Sequence, residues 1–180
     1  MSTVEPIRKK YDLKKIESVL FKQNSRDLLI FILGTNCGLR ISDILNLNVK
    51  DVKDKVFIEI TEQKTGKFKK FPINSKLKPI LDDFTKDKFL DEPLFKTRFD
   101  NRMDRYYAYH MLKDACKKAR IHEKIGTHTL RKTFGYHHYK RFKDVAMLQK
   151  MFNHSSPEIT LRYIGINQEQ MEKSYASFVL

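Results

Sequence analysis

His128 and Arg131 stand three residues apart in HTLRKTFG, and His154 and Tyr163 follow nine apart in FNHSSPEITLRYIGI. Far upstream, CGLRISDILNL supplies Arg40, and TEQKTGKFKKFP supplies Lys64 beside Thr65 and Gly66 in a turn-forming sequence. These residue types suit chemistry on a phosphodiester. Its cleavage needs a nucleophile, positive charge against the non-bridging oxygens, and an acid for the departing alkoxide. A guanidinium is permanently charged and planar, so Arg40 and Arg131 can each hold phosphate oxygens through paired N–H bonds. A phenol titrates near pH 10 in water, about 10 being its reference pKa, and attacks only once its proton is removed. Neighbouring guanidiniums and an imidazole are the means at hand, with His128 as the base. Taken singly, each residue has an ordinary structural role: an arginine in a surface ion pair, a tyrosine in the core, a lysine in a solvated hairpin. The set is what argues for chemistry, since folding alone does not ask for it.

The balance of 36 Lys and Arg against 22 Asp and Glu gives a net charge of +14, spread along the chain instead of gathered in one tail. A polyanion is the expected partner. Basic clusters at Arg8 to Lys10, Lys67 to Lys70, Lys117 to Arg120 and Lys140 to Lys143 offer phosphate contacts that weaken as salt rises. Cys37 and Cys116, in helical and partly apolar contexts, read as reduced buried thiols. With a polar N-terminus and no apolar run longer than Leu28 to Leu33, neither secretion nor membrane insertion is expected, and the cytoplasm is the expected location. His110, His122, His137 and His138 match no metal-ligand spacing and read as structural or surface residues, so no metal or other cofactor is expected.

At 180 residues the chain fits one domain with its own core. Residues 1–11 read as a flexible basic lead-in, and 12–180 as one undivided unit. Leu13, Ile16, Val19 and Leu20 fall at helical spacing. A second helix, RDLLIFILGTNC, is apolar on most of its circumference, with Ser25 as its cap and Gly38 as its end. ISDILNL starts another, with Ser42 or Asp43 near its N-terminus. Between Val49 and Ile73 the pattern alternates and turns at Lys-Thr-Gly, predicting a small antiparallel sheet. Helical spacing returns over 74–88, where Pro79 marks a kink or a later start, and again over 106–119, 130–141, 144–152 and 157–163. Ser155 or Ser156 caps the last of these, with Pro157 in its first position.

GLRISDILNL, the Lys64 turn, HTLRKTF and NHSSPEITLRY resemble, in order and at similar separations, the motifs of the catalytic domain of tyrosine recombinases, the phage integrase family. The resemblance covers nearly the whole chain. It implies an α+β, mainly α fold with a small three-stranded antiparallel sheet. It implies that Tyr163 attacks phosphorus to leave a 3′-phosphotyrosine and a free 5′-hydroxyl, and that a mobile Lys64 protonates the leaving oxygen. His154 would hydrogen-bond or pack on the phosphate, and Asp43 would brace the site, a helix cap being its structural alternative. Two departures stand out. Asn153 replaces the usual glycine, asparagine being the next residue most tolerant of a left-handed backbone, and Lys132 replaces a histidine found in many members.

The resemblance further implies double-stranded DNA as partner. Members also carry an N-terminal DNA-binding domain, for which the residues ahead of the first expected helix are too few, so weak, salt-sensitive binding with little sequence preference is expected. Met171, Tyr175 and Phe178 form an apolar stripe on a terminal helix, which relatives pass to a neighbouring protomer. The expectation is a tail docked on its own domain when free and exchanged in a homo-oligomer on DNA. The function so implied is that of a site-specific, integrase-like recombinase moving a mobile element. A topoisomerase-like relaxing activity shares the chemistry. The alternative from another class is a weak or inactive basic DNA-binding relative with a regulatory role.

Overall fold

The computed structural model describes residues 4–179. Its centre is helix α2, Ser25–Cys37, in which Leu29, Ile30, Phe31, Ile32 and Leu33 are all buried, as a helix apolar around most of its circumference must be. Its cap is Asn24, not Ser25: the Asn24 side chain accepts from the Arg26 N–H at 2.8 Å, and Ser25 is already helical. Helix α1, Lys10–Gln23, buries Ile16 and Leu20 in the same core. Gly38, at φ 63°, ends α2 in the left-handed conformation and turns the chain into α3, Ile41–Leu45. At Gly34 a Cβ would lie 2.5 Å from Leu130 Cδ1, so only glycine lets α6, Thr127–Phe142, lie this close.

Among the described residues the sheet has two strands, not three. Strand β1, Phe57–Thr61, pairs antiparallel with β2, Phe68–Pro72, from Phe57 opposite Pro72 to Thr61 opposite Phe68. Upstream, Val49–Asp51 winds into a 3₁₀ turn because the Asp51 carboxylate accepts the Asn48 N–H at 2.8 Å. A single bridge joins Asn48 to Pro93, and proline has no N–H with which to extend a ladder. In α4, Leu77–Thr85, Pro79 is the third residue, within the first turn where a missing N–H costs nothing.

Residues 4–9 do not form a loose lead-in. Ile7 is buried, its N–H donates to Thr133 Oγ1 at 2.9 Å, and the Glu5 N–H donates to the Lys124 carbonyl at 2.8 Å. The remaining helices are α5, Arg105–Lys118; α7, Val145–Phe152; α8, Pro157–Tyr163; and α9, Ile166–Ser177. Ser156 caps α8, accepting from the Ile159 N–H at 3.2 Å.

Two apolar clusters result. The large one runs through α1–α5, both strands and Leu130 of α6; the small one joins Tyr136, Leu148, Phe152, Ile164 and Ile166. The tail does not dock its stripe on its own domain: Met171, Tyr175 and Phe178 are 50%, 83% and 70% exposed. Burial pushes the thiols of Cys37 and Cys116 up to about 12, which keeps both protonated. Among the described residues, no helix is long and apolar enough to cross a membrane.

Candidate active site

Arg131 sits at the seam of the two clusters. On α6, one turn in from the N-terminus, it is 3% exposed and donates from Nη1 to the Gly38 carbonyl at 2.7 Å and from Nη2 to the Phe152 carbonyl at 2.9 Å. These carbonyls end α2 and α7, where helix termini leave acceptors without intrahelical partners. The guanidinium carbon also lies 4.4 Å from the Phe152 ring centroid. Phe152 is fixed in turn because Gly135 leaves room for its ring: a Cβ there would meet Phe152 at 2.8 Å.

Arg40, between α2 and α3, reaches the same place from the other side. Its Nη1 lies 2.7 Å from Glu62 Oε1, to which Lys69 Nζ approaches at 2.9 Å and Arg131 Nη1 at 3.8 Å. Glu62 is buried at the end of the hairpin turn and faces three cations with one oxygen. Glu62 is the partner that the buried Arg40 Nη1 has among the described residues. The other oxygen accepts from Thr65 Oγ1 at 2.6 Å and from Asn153 Nδ2 at 3.0 Å. Burial alone would raise the Glu62 pKa, but contacts from Lys69, Thr65 and Arg40 prevail and hold it at about 2. Asp43 is buried as well, and its Oδ1 accepts the Gln63 N–H at 3.0 Å, tying α3 to the turn that carries Lys64. Lys64 is exposed at that turn, beside Gly66 at φ 64°. Together with Arg40, His128, Arg131, Arg102 and Arg105 it lines an open groove of about 650 Å³.

The third side is aromatic. His128, in the first turn of α6, places Nδ1 3.4 Å from the Tyr163 hydroxyl. Burial lowers the His128 pKa, and the charges of Arg131, Lys132, Lys64 and Arg40 lower it further, so the ring is neutral near pH 7. Tyr163, the last residue of α8, is pushed up by burial and drawn down by Arg131 and Arg40, with a net rise. The His154 ring meets the Tyr163 ring edge-on at 5.1 Å, and its Nδ1 lies 3.0 Å from Thr160 Oγ1. His154 follows Asn153, which adopts the left-handed conformation at φ 54° and ends α7. Asparagine thus takes the backbone shape that glycine takes most readily. Lys132 Nζ donates to the Val4 carbonyl at 2.8 Å and lies 5.2 Å from the Tyr163 ring centroid.

Arg40, Lys64, His128 and Arg131 thus line one groove, Tyr163 adjoins it through His128, His154 packs on Tyr163, and Asp43 holds the Lys64 turn. Residues 9–170 match the phage integrase family. The chain belongs to this family. It is 46% identical over 179 residues to the Bacillus subtilis (strain 168) protein named "Probable integrase/recombinase YoeC", covering 99% of this chain and 98% of that one. It is 27% identical over 168 residues to tyrosine recombinase XerA of Pyrococcus furiosus, covering 91% of this chain and 58% of XerA. A XerA recombinase crystal structure superposes with a TM-score of 0.77 at 21% identity, over 97% of this chain and 65% of that one. A lambda integrase dimer bound to a COC′ core site superposes with a TM-score of 0.74 at 15% identity, over 93% of this chain and 50% of that one. The fold is that of tyrosine recombinase catalytic domains. This integrase-family chain spans nearly all of YoeC and little more than half of XerA.

Glu62 and Lys69 are the site residues that sequence reasoning missed. In the chain they read as one acid and one of several lysines on a solvated hairpin. The alternation that buries Ile58 and half-buries Ile60 is the signal that could have drawn attention to Glu62, two positions further on the same face.

Proposed function

We propose that this chain breaks and rejoins DNA strands as a site-specific, integrase-like recombinase, through a 3′-phosphotyrosine at Tyr163. The observation that carries the reading is the convergence of Arg40 and Arg131 on one point, the Glu62 Oε1 atom, next to a hydroxyl within reach of a neutral imidazole. Burial works against ionising Tyr163, so a base is needed. His128 Nδ1 takes the proton as the phenolic oxygen attacks phosphorus. The two guanidiniums neutralise the charge that grows on the non-bridging oxygens. The bond from phosphorus to the 5′-oxygen breaks, and Lys64 supplies the proton that makes it a hydroxyl. His154, kept neutral chiefly by burial and then by Arg131, Arg40 and Lys69, packs beside the phenol and offers its ring to the phosphate. Asp43 braces the Lys64 turn through the Gln63 N–H.

The substrate is double-stranded DNA, which the net charge of +14 favours. The grip of this domain on DNA is expected to be weak, salt-sensitive and little dependent on sequence; a filter-binding assay showing tight, sequence-selective binding contradicts this. The exposed stripe Met171, Tyr175 and Phe178 is the surface by which one copy joins another on DNA. Removing residues 171–180, which keeps Glu169 and its bonds to Tyr136 and Lys140, then abolishes oligomers on DNA while leaving the monomer folded. The test of the chemistry is incubation with a nicked suicide duplex. A covalent protein–DNA adduct is expected from the wild type and none from Tyr163→Phe; an adduct formed equally by the variant overturns the assignment.

A further inference from the structure

We infer that Glu62 is a positioning residue for strand cleavage: a built-in counter-anion that keeps the cations Arg40, Arg131 and Lys69 assembled before DNA arrives. The inference rests on the proposed phosphotyrosine chemistry. Three cationic groups within 3.8 Å of one oxygen repel one another, and burial denies them the screening that water gives. Arg131 has two carbonyls to hold it, and Lys69 has the Met151 carbonyl. Arg40 is held differently: its Nη1 is buried 2.7 Å from Glu62 Oε1 and has no other partner among the described residues. Without the carboxylate, that buried nitrogen has nothing to hold it.

The rest of Glu62 makes it a joint. Its second oxygen binds Thr65 in the Lys64 turn and Asn153 at the end of α7, immediately before His154. One side chain thus links an arginine from the large cluster, the hairpin bearing the lysine, and the backbone leading to His154. Its carboxyl stays ionised throughout the working pH range, since its pKa is held at about 2. A side chain 0% exposed is no competitor for DNA, and Glu62 does not line the groove that Arg40 and Arg131 line.

The consequence is a split between binding and chemistry. Glu62→Gln removes a negative charge near the phosphate seat, so DNA binding at low salt should tighten or stay the same. Cleavage at saturating DNA should fall on the order of a hundredfold, because misplacing a catalytic group by about 1 Å costs that much. Glu62→Gln combined with Lys69→Met removes one cation with the anion and should recover part of the lost rate. A merely structural glutamate predicts weaker binding together with slower cleavage, and no rescue by Lys69→Met. Either that pattern or an unchanged cleavage rate overturns the inference. Lysine side-chain NMR gives a readout independent of activity: Lys69, lowered by burial and raised by Glu62, should titrate lower still in Glu62→Gln. An unmoved Lys69 signal means that the ion cluster does not exist in solution. If the wild type forms no adduct, the phosphotyrosine reading fails, and the NMR and DNA-binding results still decide whether Glu62 assembles the cations.

Discussion

The arginines and the tyrosine rest on differently built parts of the molecule. Arg40 follows α2, whose buried face is the middle of the large cluster, and Arg131 is bonded to the ends of two helices. Tyr163 and His154 ride on α7 and α8, supported by the small cluster of Tyr136, Leu148, Phe152, Ile164 and Ile166. The proposed seat for a phosphate is thus set by the global fold, and the proposed nucleophile by a local one. Segments with few buried apolar contacts open at lower free energy than the core. The α8–α9 end, resting on the smaller cluster, is therefore expected to open at lower free energy than α2.

Arg131→Ala should break the comparison outright, because it removes the group that bonds both halves. It strands the Gly38 and Phe152 carbonyls and leaves Glu62 with one cation fewer. A loss of about 2–5 kcal/mol in chemical denaturation is expected, since two buried carbonyls lose their charged donor. A loss below about 1 kcal/mol would show that the seam is not held there.

Gly135→Ala separates the halves more finely. A Cβ there would lie 2.7 Å from Ile164 and 2.8 Å from Phe152, an overpacking worth about 1–3 kcal/mol. Hydrogen exchange should quicken in α7–α9 and leave the α2 amides as slow as before. Uniform quickening would mean one cooperative unit.

Acid should act on both regions at once. Glu62 at the seam and Glu169, which joins α9 to Tyr136 and Lys140 of α6, both have pKa values lowered from 4.5 to about 2. A carboxylate with a lowered folded-state pKa contributes stability above its unfolded value and loses it as protons bind. Stability should therefore decline as pH falls from 4.5 towards 2, and more gently in Glu62→Gln and Glu169→Gln. His128 and His154 have lowered pKa values, so the folded protein resists protonating them. Cleavage should persist below pH 6.5, the ordinary histidine value, and fail only when His128 is protonated. Smallest of all is the effect of Tyr163→Phe on folding, within about 0.5 kcal/mol by thermal denaturation, since only a hydroxyl is lost.

The helical spans were readable from the chain because the periodicity of α2, α5 and α6 and the Ser-Pro start of α8 are local signals. The mainly helical class with a small antiparallel sheet follows from the same patterns. What escaped the reading depends on partners distant in sequence. Ser25 looks as good a cap as Asn24 until the backbone shows which residue is extended. The third strand is lost to an Asn48–Asp51 turn and to Pro93. Ile7 docks through Thr133, and nothing in residues 4–9 announces it. Glu62 and Lys69 look solvated because their burial is created by Arg40, Asn153 and Met151, each brought in by another element.

The central claim is that both guanidiniums and one particular phenol serve the same phosphate. The direct measurement is to form the adduct on a nicked duplex, digest it, and identify by mass spectrometry which of the 8 tyrosines carries the nucleotide. The account predicts the peptide containing Tyr163, with the yield lost in both Arg40→Ala and Arg131→Ala. A nucleotide on any other tyrosine, or full yield without either arginine, would contradict it.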